Sequence, residues 1–364
     1  MKIIQVQTQA EAAGAQRVSD MVGAGLRAKG HEVRTVFMYR KTDVYDGDPY
    51  AHFILGQPPE GMADLFRSVA GLLRYIRRER PDAVIAYQYH GVAFGTLGAR
   101  LAGARHIIAN QSGEPQKQGL LGLMSRIDHL YGALGLYHHS VVNSSWTEKQ
   151  FGNHVPSYRR RLRRIDHGVT PPAARLDQAA TRRRFGLPDD VFLAISTGRI
   201  TRDKNQRALV AALALVPDLH VALAGIGPDA QPLKDLASEL GAANRLHMVG
   251  EVPPAEIHHF LAAGDVFVFP TRFETFGLAG AEAAILGMPV IASDIPVLRE
   301  VLTAPDGTPA AVFVQTENGR DIAAAIETLR SNPEGAQELS AAGKQLAVRY
   351  APATMCDGYA ALLS

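Results

Sequence analysis

Short apolar runs and longer amphipathic stretches alternate along nearly the whole chain, which predicts parallel strands joined by crossover helices. Residues 2–7 read as a first strand, 14–29 as a helix and 32–37 as a second strand. Over residues 62–80, Leu65, Phe66, Val69, Leu72, Leu73 and Ile76 share one helical face. Pro81-Asp82 ends that helix and leads into a buried strand at 83–87. Further strands are predicted at 106–109 and 140–143, with a helix over 124–137 between them. Gly168, Pro171 and Pro172 then interrupt the periodicity within residues 166–175. The rhythm restarts with strands at 192–197, 220–224, 246–249, 266–269, 289–292 and 311–314, and a helix over 206–215. The fold class is therefore α/β, with two Rossmann-like domains, 1–168 and 172–349, facing each other across a cleft.

Composition narrows this only modestly. At 364 residues the chain is too long for one ordinary core. No apolar run approaches the roughly 18 residues that span a bilayer, and the N-terminus lacks a signal-peptide pattern. With Cys356 as the single cysteine, no internal disulfide forms, and a cytoplasmic location is expected. The net charge of +2 conceals an asymmetry. Residues 1–170 hold 22 Lys/Arg against 14 Asp/Glu, whereas the remainder holds 16 against 22. The surplus clusters at Arg74, Arg77, Arg78 and Arg80 and at residues 159–164. Two readings stay open: solvated helix faces, or attraction to an anionic membrane surface or a phosphate-bearing acceptor. Nucleic acid is not expected, because the basic clusters lack interleaved aromatics and a binding motif.

The chemistry concentrates in residues 269–284, Phe-Pro-Thr-Arg-Phe-Glu-Thr-Phe-Gly-Leu-Ala-Gly-Ala-Glu-Ala-Ala. A strand ends at Phe269 and a helix begins near Gly277, where unpaired amides and the helix dipole attract phosphate. Gly277 leaves the amides of Gly277 and Leu278 open to a ligand oxygen. Glu282 follows Leu278 by four residues and shares its helix face, where its carboxylate can accept from ribose hydroxyls. Glu274 can hold sugar hydroxyls. Helix-dipole complementation is the alternative role for both acids.

Two glutamates separated by seven residues, with Phe276-Gly277 between them and Gly287-Met288-Pro289-Val290-Ile291-Ala292-Ser293 following, resemble glycosyltransferase family 4. The resemblance implies the GT-B architecture and transfer of a sugar from a nucleotide-diphosphate sugar with retention of configuration. It also assigns Phe276 to the donor site and implies that a last helix in 350–364 crosses back to the N-terminal domain. Ser196-Thr197-Gly198-Arg199-Ile200 followed by Lys204 resembles the segment whose Arg and Lys bind the donor diphosphate. Gly225-Ile226-Gly227-Pro228 and Val249-Gly250-Glu251-Val252 resemble the nucleoside loops, which places Gly227 and Val252 at the donor. Gly14, in Ala13-Gly14-Ala15-Gln16-Arg17-Val18, stands at the glycine turn near the donor phosphate. The N-terminal domain departs from the family pattern: Gln111 occupies the position of a family histidine, and Tyr87-Gln88-Tyr89-His90-Gly91 replaces a His-x-His motif. His90 and Gln111 remain the candidates on the acceptor side, with a structural histidine as the other reading of His90.

The resulting expectation is a metal-independent hexosyltransferase acting on a glycan, lipid-linked glycan or small-molecule acceptor, as in polysaccharide biosynthesis. It needs no cofactor beyond the nucleotide sugar and makes peripheral contact with the inner membrane face through its basic half. Asp46-Gly47-Asp48 matches a metal-binding Asp-x-Asp but reads as a turn. The adjacent pairs His138-His139 and His258-His259 diverge on a helix. Gly225-x-Gly227 lacks the third glycine of a dinucleotide fingerprint. A nucleotide-sugar epimerase of the same fold and a catalytically altered nucleotide-sugar-binding protein are the rival readings.

Overall fold

The computed structural model describes residues 1–11, 13–111, 113–171 and 177–364. Pro172, the expected start of the second domain, lies outside them. The chain divides into two compact units, Met1–Gly168 with Pro352–Ser364, and Val169–Ala351.

The first unit runs β1 (Lys2–Ala10), α1 (Gly14–Ala28), β2 (Glu32–Arg40), β3 (Ala51–Leu55), α2 (Met62–Glu79), β4 (Ala83–Tyr87) and α3 (Tyr89–Ala102). It continues with β5 (His106–Asn110), α4 (Gly119–Leu134), β6 (His139–Val142), α5 (Ser145–Gln150), α6 (Pro156–Arg159) and β7 (Leu162–Arg164). Seven strands form one sheet in the order β3-β2-β1-β4-β5-β6-β7, every pair parallel. Ile3 sets the register, opposite Val33 on one side and Ala83 on the other. Every residue of β4 is buried, as a parallel strand covered on both faces requires.

Two strands were not predicted. The edge strand β3 has no fully buried residue, so it lacks the apolar run that marks a buried strand. The other edge, β7, is Leu-Arg-Arg and reads in sequence as part of a charge run. The strand β1 extends three residues past its predicted end, and α4 starts five residues before its predicted start.

The second unit runs α7 (Gln178–Arg184), β8 (Phe192–Thr197), α8 (Gln206–Ala212), β9 (Leu219–Ala224), α9 (Ala230–Glu239), β10 (Leu246–Gly250) and α10 (Ile257–Ala262). Then follow β11 (Val266–Phe269), α11 (Leu278–Leu286), β12 (Val290–Ser293), α12 (Pro296–Val301), β13 (Val312–Val314), α13 (Arg320–Ser331) and α14 (Pro333–Arg349). Its six strands are ordered β10-β9-β8-β11-β12-β13, again with parallel pairing. The chain builds outward from β8 in one direction, then returns to β11 and builds in the other. The order thus reverses between β8 and β11, the switch point where open α/β sheets leave a crevice at their strand C-termini.

The last helix, α15 (Pro352–Ala361), belongs to the first unit and packs on α1. Its Tyr359 hydroxyl bonds Asn110, and Cys356 Sγ lies 3.4 Å from the Met21 carbonyl oxygen. A Cβ at Gly25 would sit 2.2 Å from that sulfur. Cys356 is thus a packing residue, and burial pushes its thiol up. Among the described residues no helix is long and apolar enough to cross a membrane.

Candidate functional site

The loops after β8 and β11 flank the switch point of the second unit, and they are tied together. Arg272 N–H donates to the Asp203 carbonyl at 2.8 Å, and Thr271 Oγ1 donates to the same oxygen at 3.2 Å. Asn205, in a left-handed conformation at φ 52°, donates through Nδ2 to the Pro270 carbonyl at 3.1 Å. Between these ties Lys204 Nζ meets the Glu274 carboxylate in an ion pair, with side chains 21% and 12% exposed. The ammonium also lies 5.9 Å from the centre of the Phe269 ring. Each member of the pair thus keeps a small part of its side chain in contact with solvent.

Gly277 caps α11 at φ 91°, a backbone conformation that only glycine adopts readily. A Cβ there would meet Leu298 Cδ2 at 2.6 Å and Phe269 Cε1 at 3.2 Å, with Glu274 Cγ at 4.0 Å. Glu274 is therefore beside the helix N-terminus. The first hydrogen bond of the α11 turn is Ala281 N–H to the Gly277 carbonyl. The amides ahead of Ala281, including that of Leu278, precede the ladder. Glu282 lies one turn further on and is only 4% exposed.

Arg199 projects from the loop after β8 and is exposed. Its carbonyl accepts from Gln206 Nε2 at 3.0 Å, while among the described residues its guanidinium takes part in no ion pair or hydrogen bond. Gly225 and Gly227 let the loop after β9 lie directly on the loop after β8. Their Cβ atoms would fall 1.9 Å from the Gly198 oxygen and 2.1 Å from the Ile200 oxygen. Ile200 N–H donates to Ile226 O at 2.9 Å, and Gly225 N–H to Gly250 O at 2.6 Å. Val252 follows, half-buried. The three loops thus form one layer along the C-terminal edge of the sheet, bringing Arg199, Gly227 and Val252 to the same edge as Lys204, Glu274 and Gly277.

Phe276 lies just ahead of the helix cap at Gly277. Its ring is 2% exposed and stands edge-on to Tyr350 at 5.1 Å. Burial of the ring in the core leaves only its backbone for a ligand.

In the first unit Gly14 is the first residue of α1, preceded by Ala13 in extended conformation. His90 is the second residue of α3, half-buried, and burial pushes its imidazole below the usual histidine range. No hydrogen-bond partner is found for it among the described residues. Just before it, Gln88 sits at φ 61°, ψ 164°, a strained conformation for a residue with a side chain. Gln88 Oε1 accepts from Thr8 N–H at 3.0 Å, joining the ends of β1 and β4. Sequence reasoning quoted Gln88 without giving it a role. A non-glycine residue in this backbone region has no sequence signature.

Gln111 is a clear correction. It is 6% exposed, and its Nε2 donates to Asp128 Oδ1 at 2.9 Å and to Ser140 Oγ at 3.1 Å. Tyr158 donates to the other Asp128 oxygen at 2.7 Å, and Tyr137 lies 3.1 Å from Oδ1. A carboxylate this deep must be supplied with donors, so the Gln111 Nε2 group is engaged inside the fold. Burial also raises the Asp128 carboxyl above its usual range.

Asp46 and Asp48 lie in the β2–β3 connection. Asp46 pairs with Arg40, and Asp48 accepts from Tyr50 N–H at 2.8 Å. Among the described residues no group of three or more His, Cys, Asp or Glu side chains is placed to hold a metal ion.

Two family models match the chain in series. The one described as Glycosyltransferase Family 4 matches residues 12–171, and the one described as Glycosyl transferases group 1 matches residues 177–346. The chain is similar to a lipopolysaccharide core biosynthesis glycosyltransferase, LpsD, of Rhizobium meliloti, with 32% identity over 190 residues that cover 52% of each chain. It is also similar to a D-inositol 3-phosphate glycosyltransferase of Thermomonospora curvata, 35% identical over 189 residues, covering 48% of this chain and 42% of the other. The chain spans about half the length of the curated relatives it matches. Among solved structures, Anabaena HepE in complex with UDP and glucose superposes with a TM-score of 0.83 at 17% identity, over 99% of this chain and 98% of that one. Sucrose-phosphate synthase of Thermosynechococcus elongatus gives 0.82 at 21%, with the same coverage. These likenesses show the fold: two successive parallel Rossmann-like sheets of the GT-B type.

Proposed function

The chain belongs to the family 4 glycosyltransferases, and we propose that it moves a hexose from a nucleotide-diphosphate sugar to a hydroxyl of an acceptor, retaining the anomeric configuration. The observation that carries this reading is the Lys204–Glu274 ion pair, set beside the open N-terminus of α11 at the sheet's switch point. The neighbour HepE, solved with UDP-glucose, supports a donor of the same chemical class.

In this reading the amides at the start of α11, Arg199 and Lys204 take the diphosphate, and their charge stabilises it as it leaves. Glu274, released from Lys204, accepts from sugar hydroxyls, and Glu282 accepts from the ribose. Gly227 and Val252 present backbone to the nucleoside. The first unit takes the acceptor, a glycan, a lipid-linked glycan or a small molecule, with His90 near it. Attack comes from the face the diphosphate departs, and a diphosphate oxygen receives the acceptor's proton. Arg199 and Lys204 supply the charge neutralisation, and no metal-dependent step is invoked.

The test is thermal unfolding with UDP-, GDP-, ADP- and dTDP-sugars. A ligand that binds only the folded state, at a hundredfold excess over its Kd, adds about 2.7 kcal/mol. One sugar nucleotide should raise the melting temperature of the wild type but not of Lys204→Ala or Glu282→Ala. With an acceptor supplied, Lys204→Ala should lose on the order of 100-fold to 1,000-fold in kcat. Stabilisation by NAD or a metal ion alone, with no response to any sugar nucleotide, removes the reading. Binding without turnover across acceptors leaves the binding-protein alternative.

A further inference from the structure

Two half-buried histidines on neighbouring strands of the second unit meet each other. His220 on β9 and His247 on β10 bring Nδ1 and Nε2 to 3.0 Å, with ring planes 11° from parallel and ring centres 5.3 Å apart. Centres joined through a nitrogen contact of that length can stand little further apart. The rings therefore meet end to end, one N–H donating to the lone pair of the other ring. The bond crosses diagonally between the strands, because His247 is opposite Ala222 rather than His220.

The strand it fastens is weakly held. β10 lies at the edge of the sheet with β9 as its partner strand, and all five of its residues are half-buried. Its register with β9 shifts between Met248 and Gly250. The two strands run on into residues 225–228 and 250–252, where Gly225 N–H donates to the Gly250 carbonyl.

Two imidazoles keep this bond only while one of the facing nitrogens has its lone pair. A neutral pair meets that condition, and so does a pair with one added proton, whose bond is charge-assisted. A second proton makes donors of both nitrogens and sets two cations against each other. The surrounding charges do not relieve this. Arg245 is fixed nearby by donating to the carbonyls of Leu213, Val216 and Leu219 at 2.9, 3.0 and 3.2 Å. Asp218, which acts in the opposite sense on His220, is paired with Arg330 at 2.8 Å. Strand β8 carries no charged residue. Lys234 lines a cavity with Leu246 and Met248, which alternate with His247 and take the other face of β10. Burial, then Arg245, pushes His220 below the usual histidine range; burial, then His220, does the same to His247. With folded values below the unfolded one, the contribution of the pair is complete above about pH 6.5 and is lost as the pH falls through the folded values.

We propose that the His220–His247 bond is an acid-labile clasp, which holds β10 to β9 at neutral pH and releases it when both rings are protonated. Release loosens the seat of residues 250–252, so sugar-nucleotide binding weakens in acid; this consequence alone rests on the donor reading above.

Hydrogen exchange of the full chain is followed from about pH 7.5 to about pH 4.5, as protection factors corrected for the intrinsic pH dependence of exchange. The β10 amides should lose on the order of tenfold in protection, while those of β8 and β11 keep theirs. His247→Gln retains an amide for His220 to bond but carries no charge, so β10 should stay protected throughout. His247→Ala should leave β10 poorly protected at both ends of the series. Imidazole NMR of the wild type, which needs no variant, should show the pair titrating in two steps, the second below the free-histidine value. Constant β10 protection in the wild type, the same acid loss in His247→Gln, or independent titration of both rings near about 6.5 overturns the clasp. The Kd of the sugar nucleotide should rise on the order of tenfold in acid for the wild type and stay level for His247→Gln. A level Kd in the wild type while β10 opens overturns the coupling to the donor. Failure of every sugar nucleotide to bind at any pH removes the donor reading instead, and the exchange result still decides the clasp.

Discussion

At the scale of single residues, Gln111 shows how far a motif position can drift from the role its neighbours suggest. Sequence alone places it where a polar group can reach a substrate. What turns it inward is Asp128, seventeen positions along, together with Tyr158 and Ser140, and no local pattern announces that meeting. Lys204 and Glu274 are seventy positions apart yet were legible, because each stands in its own motif beside a strand end. Their direct pairing was not legible. Gln111→Ala withdraws a donor from the buried Asp128 and should lower stability by about 1–3 kcal/mol. The shift in melting temperature produced by the sugar nucleotide should be unchanged, since Gln111 belongs to the first unit. A variant that keeps its stability but loses acceptor turnover would return Gln111 to the substrate.

At the scale of elements, the strands that sequence read most firmly are those buried on both faces, such as β4 and β11, where every residue is apolar. The edge strands β3 and β7 escaped because one side of each has no partner strand, so half-exposed or charged residues are tolerated there. The helix α3 was not predicted: it begins immediately after the strained Gln88 and is rich in glycine. For α11 the opposite holds: Gly277 marked the helix start correctly, and the structure adds why no other residue serves. Gly277→Ala combines a φ of 91° with a 2.6 Å approach to Leu298. It should destabilise the second unit by on the order of 1–3 kcal/mol and abolish the thermal response to the donor. Ala279→Gly, in the same turn but without either conflict, serves as the control and should retain that response.

At the scale of the whole molecule, the first unit carries a distinct acid liability. Burial pushes His167 down to about 3 and His154 to about 4, against an ordinary 6.5. Asn143 Nδ2 lies 2.9 Å from His167 Nε2 and is matched to the neutral ring. With the folded values below the unfolded one, the unfolded chain binds more protons between about 3 and 6.5, so stability rises with pH across that window. Each histidine contributes up to about 1.4 kcal/mol per pH unit there. His167→Gln, which retains an acceptor for Asn143, should flatten the acid limb of a pH-resolved urea unfolding series; an unchanged slope would show that His167 titrates normally.

The same unit depends on a segment remote in sequence. Met355, Cys356, Tyr359 and Leu363 are 2%, 5%, 1% and 3% exposed. At about 1.5–3 kcal/mol for each large side chain, their loss approaches the whole stability of a domain. The Tyr359–Asn110 bond fastens this segment to the end of β5, next to Gln111. Ending the chain at Ala351 should therefore unfold the first unit and leave the second, whose sheet and core lie within Val169–Ala351. Limited proteolysis of the shortened chain should yield a resistant fragment corresponding to the second unit, Val169–Ala351, and that fragment should still be stabilised by the sugar nucleotide. Survival of both units, or digestion of both, would mean that the closing helix does not support the first unit separately. The crossing helix was legible through family resemblance alone, since residues 352–361 have the periodicity of any short helix. The register that inserts its side chains against α1 and β5 exists only once the chain has folded.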